Sequence, residues 1–437
     1  ILSNKYTALE TYYMSKKLAT KEVKDHEVLN ETIKSCKNLR MRVKDTTFKD
    51  KVMKECTELF YDENFESKLD SHTHLIGFEN GVYDLNATEF RVGNPEDYIL
   101  HSTKCNYTEY NPDDPDIQYM YSFLAKVFVD TELRAYMISL LASFLDGKVY
   151  DQKFHLWTGS GANAKSTLVD LFRDSIGDYG CVLPTTVLTH KRGASGAASP
   201  ELARTKGRRF VHMQEPEHGE KINVGIMKEL TGGDPIQARE LYKSPVEFKP
   251  QYNLVLACND LPPIPSNDGG TWRRLRVVNF ASKFVDNPNP DNPFEFAKDP
   301  TVKDRLGKCH GAFMSILLNA YSGFKASKYK ITEPQTVLEH TLEYQRKSDA
   351  YTAFFDENVE QMNDETYSIN LNTIYDKFKY NYEELHSEKA PSKAEMLEFM
   401  TKRYGKQPPG NKMRWIGLRD KEVTTTDEEP QNRGDRL

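Results

Sequence analysis

Compact apolar runs interrupt an otherwise polar chain, and their spacing sets out the elements. Phe154-His155-Leu156-Trp157, Phe210-Val211-His212-Met213, residues 252–258 and residues 275–280 are short, nearly continuously apolar and bounded by turn-forming residues. Strands buried on both faces of a parallel sheet read this way. Helix-period segments separate them, so residues 154–282 predict an α/β core. Residues 1–56 carry widely spaced Leu, Val and Met among Lys and Glu, which predicts helices. Across 75–85 two apolar runs flank Asn80-Gly81, a hairpin signal because both turn positions tolerate positive φ. Residues 117–145 predict two helices and 311–321 another. Beyond Asp349 the periodicity gives helices over 351–362, 373–384 and 393–404, then a strand at 414–418 that closes a terminal hairpin.

Polar stretches rich in Asn, Asp and Pro at 107–116 and 285–293 mark boundaries. The first closes a domain of 1–110; the second lies within a core of 111–345, beyond whose helices a smaller C-terminal domain of 346–437 follows. No internal repeat or low-complexity tract stands out. Hydrophobic residues at 38% and charged residues at 28% fit a globular protein. No apolar run reaches the roughly 20 residues of a membrane span. The six cysteines fall singly, without metal-ligand spacing, and read as reduced core thiols of an intracellular protein. A net charge of −6 excludes a generally basic nucleic-acid coat, but not a channel lined by a few cations. The chain opens on Ile1 and shows no signal peptide, so a longer polypeptide with a preceding domain is expected.

Chemistry enters at Gly159-Ser160-Gly161-Ala162-Asn163-Ala164-Lys165-Ser166-Thr167, which follows the first core strand and opens into an amphipathic helix. A glycine-rich loop followed by Lys-Ser at a helix N-terminus presents backbone N–H groups and the positive end of the helix dipole to phosphates. Lys165 then reaches the β/γ-phosphates of ATP, and the Ser166 hydroxyl ligates Mg²⁺. Ala164 stands where the pattern has a second glycine. Its cost is small if φ is negative and larger if φ is positive.

About fifty residues on, the strand ending at Met213 runs into Gln214-Glu215-Pro216-Glu217. A carboxylate at that position suits Mg²⁺ and an attacking water, which makes Glu215 the candidate, with Glu217 able to share the role. Gln214 occupies a place where many ATPases have an acid. The third run ends in Asn259, placed to sense a γ-phosphate, although Asn-Asp before Leu261-Pro262-Pro263 is also turn chemistry. Arg273 and Arg274 lead a strand after Gly269-Gly270 and suit an arginine finger supplied to a neighbour's ATP; a basic surface strand reads the same way. Residues 236–248 predict a hairpin with Arg239, Tyr242 and Lys243 near its tip. Charge with an aromatic suits a phosphodiester backbone in a channel, and a solvated turn is the bland alternative.

Taken together, Gly159 to Thr167, Val211 to Glu217, Lys228 to Phe248 and Leu254 to Asn259 resemble superfamily 3 helicases. Among these the pattern is similar to the primase-helicases of poxviruses and other nucleocytoplasmic large DNA viruses. The resemblance implies an α/β, AAA+-like P-loop NTPase core with a collar-like mixed α+β domain before it. It further implies a homo-hexamer around one strand of single-stranded or forked DNA, ATP and Mg²⁺ between subunits, and 3′-to-5′ translocation. By motif position it makes Lys165 and Ser166 the Walker A residues, Glu215 Walker B, Asn259 the sensor and Lys243 the channel cation. Arg274 fits the finger, with Arg273 as runner-up. A primase module, other replication proteins and the host cytoplasm are the implied setting, with no membrane. Three helices and a terminal hairpin at 349–418 resemble a winged helix, with Lys393, Lys402, Arg403, Lys406 and Lys412 as phosphate contacts; a helical cap fits as well. The rival readings are a ring ATPase that remodels protein or pumps duplex DNA, and a non-hydrolysing scaffold.

Overall fold

The computed structural model describes residues 2–192, 197–217, 219–264, 266, 268–386, 390–405 and 413–421. The chain forms two compact units, Ile1–Leu69 and Asp70–Leu437. The first is helical, as its pattern predicts: α1 (Leu2–Ala19), α2 (Val23–Arg42) and α3 (Thr46–Leu59). Asp45 caps α3 by accepting from the Thr47 N–H at 2.9 Å. Helices α1 and α2 pack against each other, and Arg40 on one meets Glu10 on the other at 3.4 Å.

The second unit begins with an antiparallel sheet of β1 (Leu75–Phe78), β2 (Gly81–Asp84) and β3 (Glu89–Arg91). The Asn80-Gly81 hairpin is where the sequence places it; the third strand was not legible. Helices α4 (Pro115–Val127) and α5 (Thr131–Ser143) follow, started by Asp114 and Asp130 as side-chain caps. Then come β4 (Phe154–Thr158), α6 (Lys165–Ile176), β5 (Gly180–Val182), β6 (Phe210–Met213) and α7 (Val224–Gly232). The hairpin strands β7 (Ile236–Ala238) and β8 (Val246–Phe248) lead to β9 (Asn253–Ala257) and β10 (Leu275–Asn279).

Five of these strands form one parallel sheet in the order β10-β4-β9-β6-β5. Both faces are covered, which explains the near-continuous apolar runs. Alternate residues serve opposite sides. Trp157, Phe210, Val255 and Val278 join a core with α4, α5 and α6, while Leu156, Val211, Leu254, Leu256 and Val277 join one with α7. Burying each such side chain stabilises the fold by roughly 1.5–3 kcal/mol. His155 sits in the middle of β4, wholly buried, and burial pushes its pKa down to about 3, so it packs as a neutral ring.

Arg209, just before β6, is a buried cation that sequence reasoning passed over. Its guanidinium donates to the carbonyls of Leu145 and Leu75 and lies 4.5 Å from the Tyr179 ring centroid. The Tyr179 hydroxyl accepts from the Gly77 N–H at 2.9 Å and donates to the His101 carbonyl at 3.1 Å. The small antiparallel sheet is thereby tied to the strand that ends near Glu215.

After β10 the chain forms the parallel pair β11 (Lys283–Val285) and β12 (Glu295–Ala297), then α8 (His310–Ala326) and α9 (Gln335–Ser348). The last module comprises α10 (Ala350–Asn358), β13 (Val359–Gln361), β14 (Ser368–Asn370), α11 (Leu371–His386), α12 (Lys393–Tyr404), β15 (Arg414–Ile416) and β16 (Leu418–Asp420). Two expectations are corrected. The helix expected over 351–362 ends at Asn358, because Val359 to Gln361 pair with Leu418 to Asp420. No terminal hairpin forms from 414–418 itself, since β15 pairs with β14 and β16 with β13. Lys406, Lys412 and the polar tail lie outside the described residues.

Candidate active site

At the C-terminal end of β4 the chain turns through Gly159 to Ala164 before α6 begins. Gly159 has φ of 151°, and a Cβ there would stand 2.7 Å from the Phe280 carbonyl oxygen. Gly161, Ala162 and Ala164 also have positive φ, at 83°, 49° and 61°. Ala164 therefore occupies the conformation that favours glycine, and the loop carries about 1–2 kcal/mol of strain at that residue. An alanine at the N-cap offers no side-chain cap of its own, and the first N–H of α6, that of Lys165, is met instead by Asn163 Oδ1 at 3.2 Å. Ser160, Ala162 and Ser166 are exposed, and Thr167 is half-buried.

Lys165 folds inward. Its ammonium donates to the Cys258 carbonyl and to Asn259 Oδ1, the latter at 3.1 Å. Burial pulls its pKa below the usual lysine range, partly offset by Cys258, Glu215 and Asp260. Asn259 follows β9, which lies between β4 and β6. Its backbone N–H and Nδ2 donate to the two carboxylate oxygens of Glu215, at 3.0 and 2.9 Å. Thr158 Oγ1 donates to the Asn259 carbonyl at 2.8 Å. The structure thus brings together Lys165, Glu215 and Asn259 from three adjacent strands. Thr158 and the Cys258 carbonyl complete the network, and nothing in the sequence singled them out. Gln214 and Glu217 are exposed beside it, outside these hydrogen bonds. A cleft of about 980 Å³ opens next to Thr158 and Asn259, with Tyr344 and Phe354 among its walls.

Among the described residues no group of three or more His, Cys, Asp or Glu could hold a metal alone. Ser166 and Glu215 offer oxygens that suit a hard cation, and their number fits an ion that shares its ligands with phosphates and water.

Arg273 and Arg274 lie at the opposite edge of the sheet. They follow a helical turn, Gly269–Trp272, where the sequence suggested an open glycine loop, and precede β10. Arg274 donates to the Gly270 carbonyl at 2.6 Å and to Gln152 Oε1 at 2.8 Å; Arg273 shares that oxygen at 3.0 Å. Because β10 and β4 are parallel, the arginines stand at the start of β4 and the lysine loop at its end. Five residues of strand, roughly 17 Å, separate the two. The structure does not bring these arginines to the loop of their own chain.

The β7–β8 hairpin forms as expected. Tyr242 at its tip is fully exposed with φ of 63°, and Lys243 pairs with Glu240 at 2.8 Å. Arg239 sits lower than expected. It is half-buried at the neck, where its carbonyl accepts from Ser199 N at 2.8 Å and its N–H donates to Ser199 Oγ at 3.2 Å.

With this geometry in hand, comparison with known proteins is informative. Residues 6–129 match the family described as D5 N terminal like, and residues 157–274 match a family of unknown function, DUF5906. A protein named as a putative helicase in Acanthamoeba polyphaga mimivirus is 36% identical over 385 residues, covering 86% of this chain and 40% of the relative. The chain is a D5-type relative of the viral primase-helicases. Other members of this group confirm the breadth of the match. A protein named as a putative helicase in Frog virus 3 is 28% identical over 410 residues, with 78% and 42% of the two chains covered. One named as a putative primase in African swine fever virus is 27% identical over 336 residues, with 75% and 35% covered. The chain thus spans about 40% of the length of the curated relatives it matches. The second family match runs from β4 to Arg274, and so takes in the loop, Glu215, the hairpin and Asn259. Among the described residues no helix is long and apolar enough to cross a membrane.

Proposed function

We propose that this D5-type chain is the motor part of a viral replicative primase-helicase, an AAA+-like ATPase that translocates on single-stranded DNA and unwinds duplex. One observation carries the reading: Lys165, Glu215 and Asn259 converge at the C-terminal edges of β4, β6 and β9. Ligands of open parallel sheets bind at that edge. The residues fit ATP with Mg²⁺. The loop and the first turn of α6 supply N–H donors, Lys165 a cation, and Ser166 with Glu215 oxygen ligands. A bound nucleotide would supply the phosphoanhydride whose hydrolysis drives the motor.

The chain's own groups then divide the work. The loop positions the phosphates, Lys165 meets the negative charge at their end, and Glu215 orients water. Asn259 holds Glu215 and Lys165 in register. Arg274, with Arg273 as the alternative, acts on a neighbour's site, which supports a ring, and by resemblance a hexamer. Tyr242 and Lys243 offer stacking and charge to a DNA strand in the channel. In the last module the order α10, β13, β14, α11, α12, β15, β16, in which β14 pairs with β15 and β13 with β16, supports a winged-helix-like reading, with Lys393 and Lys402 as phosphate contacts. Arg403 is paired with Asp356 and contributes less. A primase module, other replication proteins and the host cytoplasm complete the proposed setting.

The deciding experiment is ATP hydrolysis by wild type and Lys165→Ala, each with and without single-stranded DNA. DNA-stimulated hydrolysis that vanishes in the variant is expected. A wild type that assembles yet releases no phosphate would leave only the scaffold.

A further inference from the structure

We infer that Asn163 is a positioning residue: it ties the lysine loop to the end of β10 and so fixes where Lys165 meets the terminal phosphate. The inference rests on the nucleotide reading above. Asn163 differs from the rest of the loop in being a polar side chain that is only 3% exposed. Its Oδ1 accepts from the Lys165 N–H at 3.2 Å, an Asx-type turn across two residues. Its Nδ2 donates to the Phe280 carbonyl at 3.4 Å. The amide is thus spent inside the protein, which separates Asn163 from the residues that face a phosphate.

Three neighbours make this tie a defined one. The Phe284 N–H donates to the Ala162 carbonyl at 2.7 Å, so the segment after β10 grips the loop twice. Ser282, between the two grips, is 1% exposed and donates to the Val127 carbonyl at 3.1 Å, which anchors that segment on the end of α4. Gly159 leaves the space the amide needs, since a Cβ there would lie 2.3 Å from Asn163 Nδ2. Lys165 is therefore held at both ends, its backbone by Asn163 and its ammonium by Cys258 and Asn259. Releasing the backbone end leaves the cradle in place but lets the cation drift from the far phosphate.

The test measures binding of ADP and of a non-hydrolysable ATP analogue to the full chain, alongside thermal melting without nucleotide. Wild type is expected to prefer the triphosphate, and Lys165→Ala to lose that preference. A wild type that binds neither nucleotide would remove the nucleotide reading, and the positioning role with it. Given wild-type binding, Asn163→Ala is expected to cut the triphosphate preference about tenfold while ADP affinity moves less than about threefold. Asn163→Ser keeps an acceptor for the Lys165 N–H but is too short to reach Phe280, so it should recover less than half of the loss. Full recovery by serine would overturn the tie to β10. An unchanged preference, or equal weakening of both nucleotides with a lower melting temperature, would make Asn163 a packing residue and overturn the inference.

Discussion

The two edges of the parallel sheet handle their charged groups in opposite ways. At the C-terminal edge Lys165, Glu215 and Asn259 satisfy one another within one chain, over hydrogen bonds of 2.9–3.1 Å. At the N-terminal edge Arg273 and Arg274 converge on one neutral acceptor, Gln152. A guanidinium held by a neutral oxygen keeps its full charge available to an anion that arrives from outside. Under the proposed function the contrast assigns one edge to what its own chain binds and the other to what a neighbour binds.

The largest effect expected from breaking the contrast is at the self-contained edge. Lys165→Ala should lower ATP hydrolysis by about a thousandfold or more, read as phosphate release at saturating ATP. Arg274→Ala should fall by about a thousandfold too, yet bind nucleotide like wild type, because its proposed role lies in another chain's transition state. Mixing the two variants sharpens the point. Some sites then combine an intact loop with an intact arginine, so partial activity should return; no recovery would place both functions in one chain.

A smaller effect is expected away from both edges, at the hairpin. Lys243→Ala should keep basal hydrolysis, abolish its stimulation by single-stranded DNA, and reduce the salt slope of DNA binding by about 1. If stimulation survives, the hairpin is not the DNA contact and the remodeller reading gains. The smallest effect concerns the strained loop. Ala164→Gly relieves about 1–2 kcal/mol of left-handed strain and gives back about 0.4–1 kcal/mol through the unfolded chain. Denaturant unfolding should then show a net gain of about 0.5–1 kcal/mol. A loss instead would mean that the methyl, which packs against the core, outweighs the backbone.

What the sequence made legible is what local pattern encodes. The core strands, the lysine loop and the polar residue ending each strand are read from runs of a few residues, and Glu215 and Asn259 meet because those strands are adjacent. What it hid depends on distant partners or on a torsion. The sign of φ at Ala164 is not written in its identity. Gln152 matters only because two arginines more than a hundred residues on reach its oxygen. Arg209 reads as a surface cation until the carbonyls of Leu75 and Leu145 are seen around it. The helix expected through 362 stops at 358 because long-range pairing with β16 overrides a helical period.

Strand β10 also constrains how this region can vary in length. Arg274 stands one residue before it and Phe280 one residue after it, so a single strand spaces the arginine at its start from the grip on the lysine loop at its end. Inserting or deleting one residue between them would shift one end by about 3.3 Å and turn every following side chain to the opposite face. Surface loops elsewhere in the chain can lengthen or shorten freely by comparison. Between 274 and 284 the chain behaves as a fixed-length spacer, in which substitutions are tolerated more readily than any change of frame.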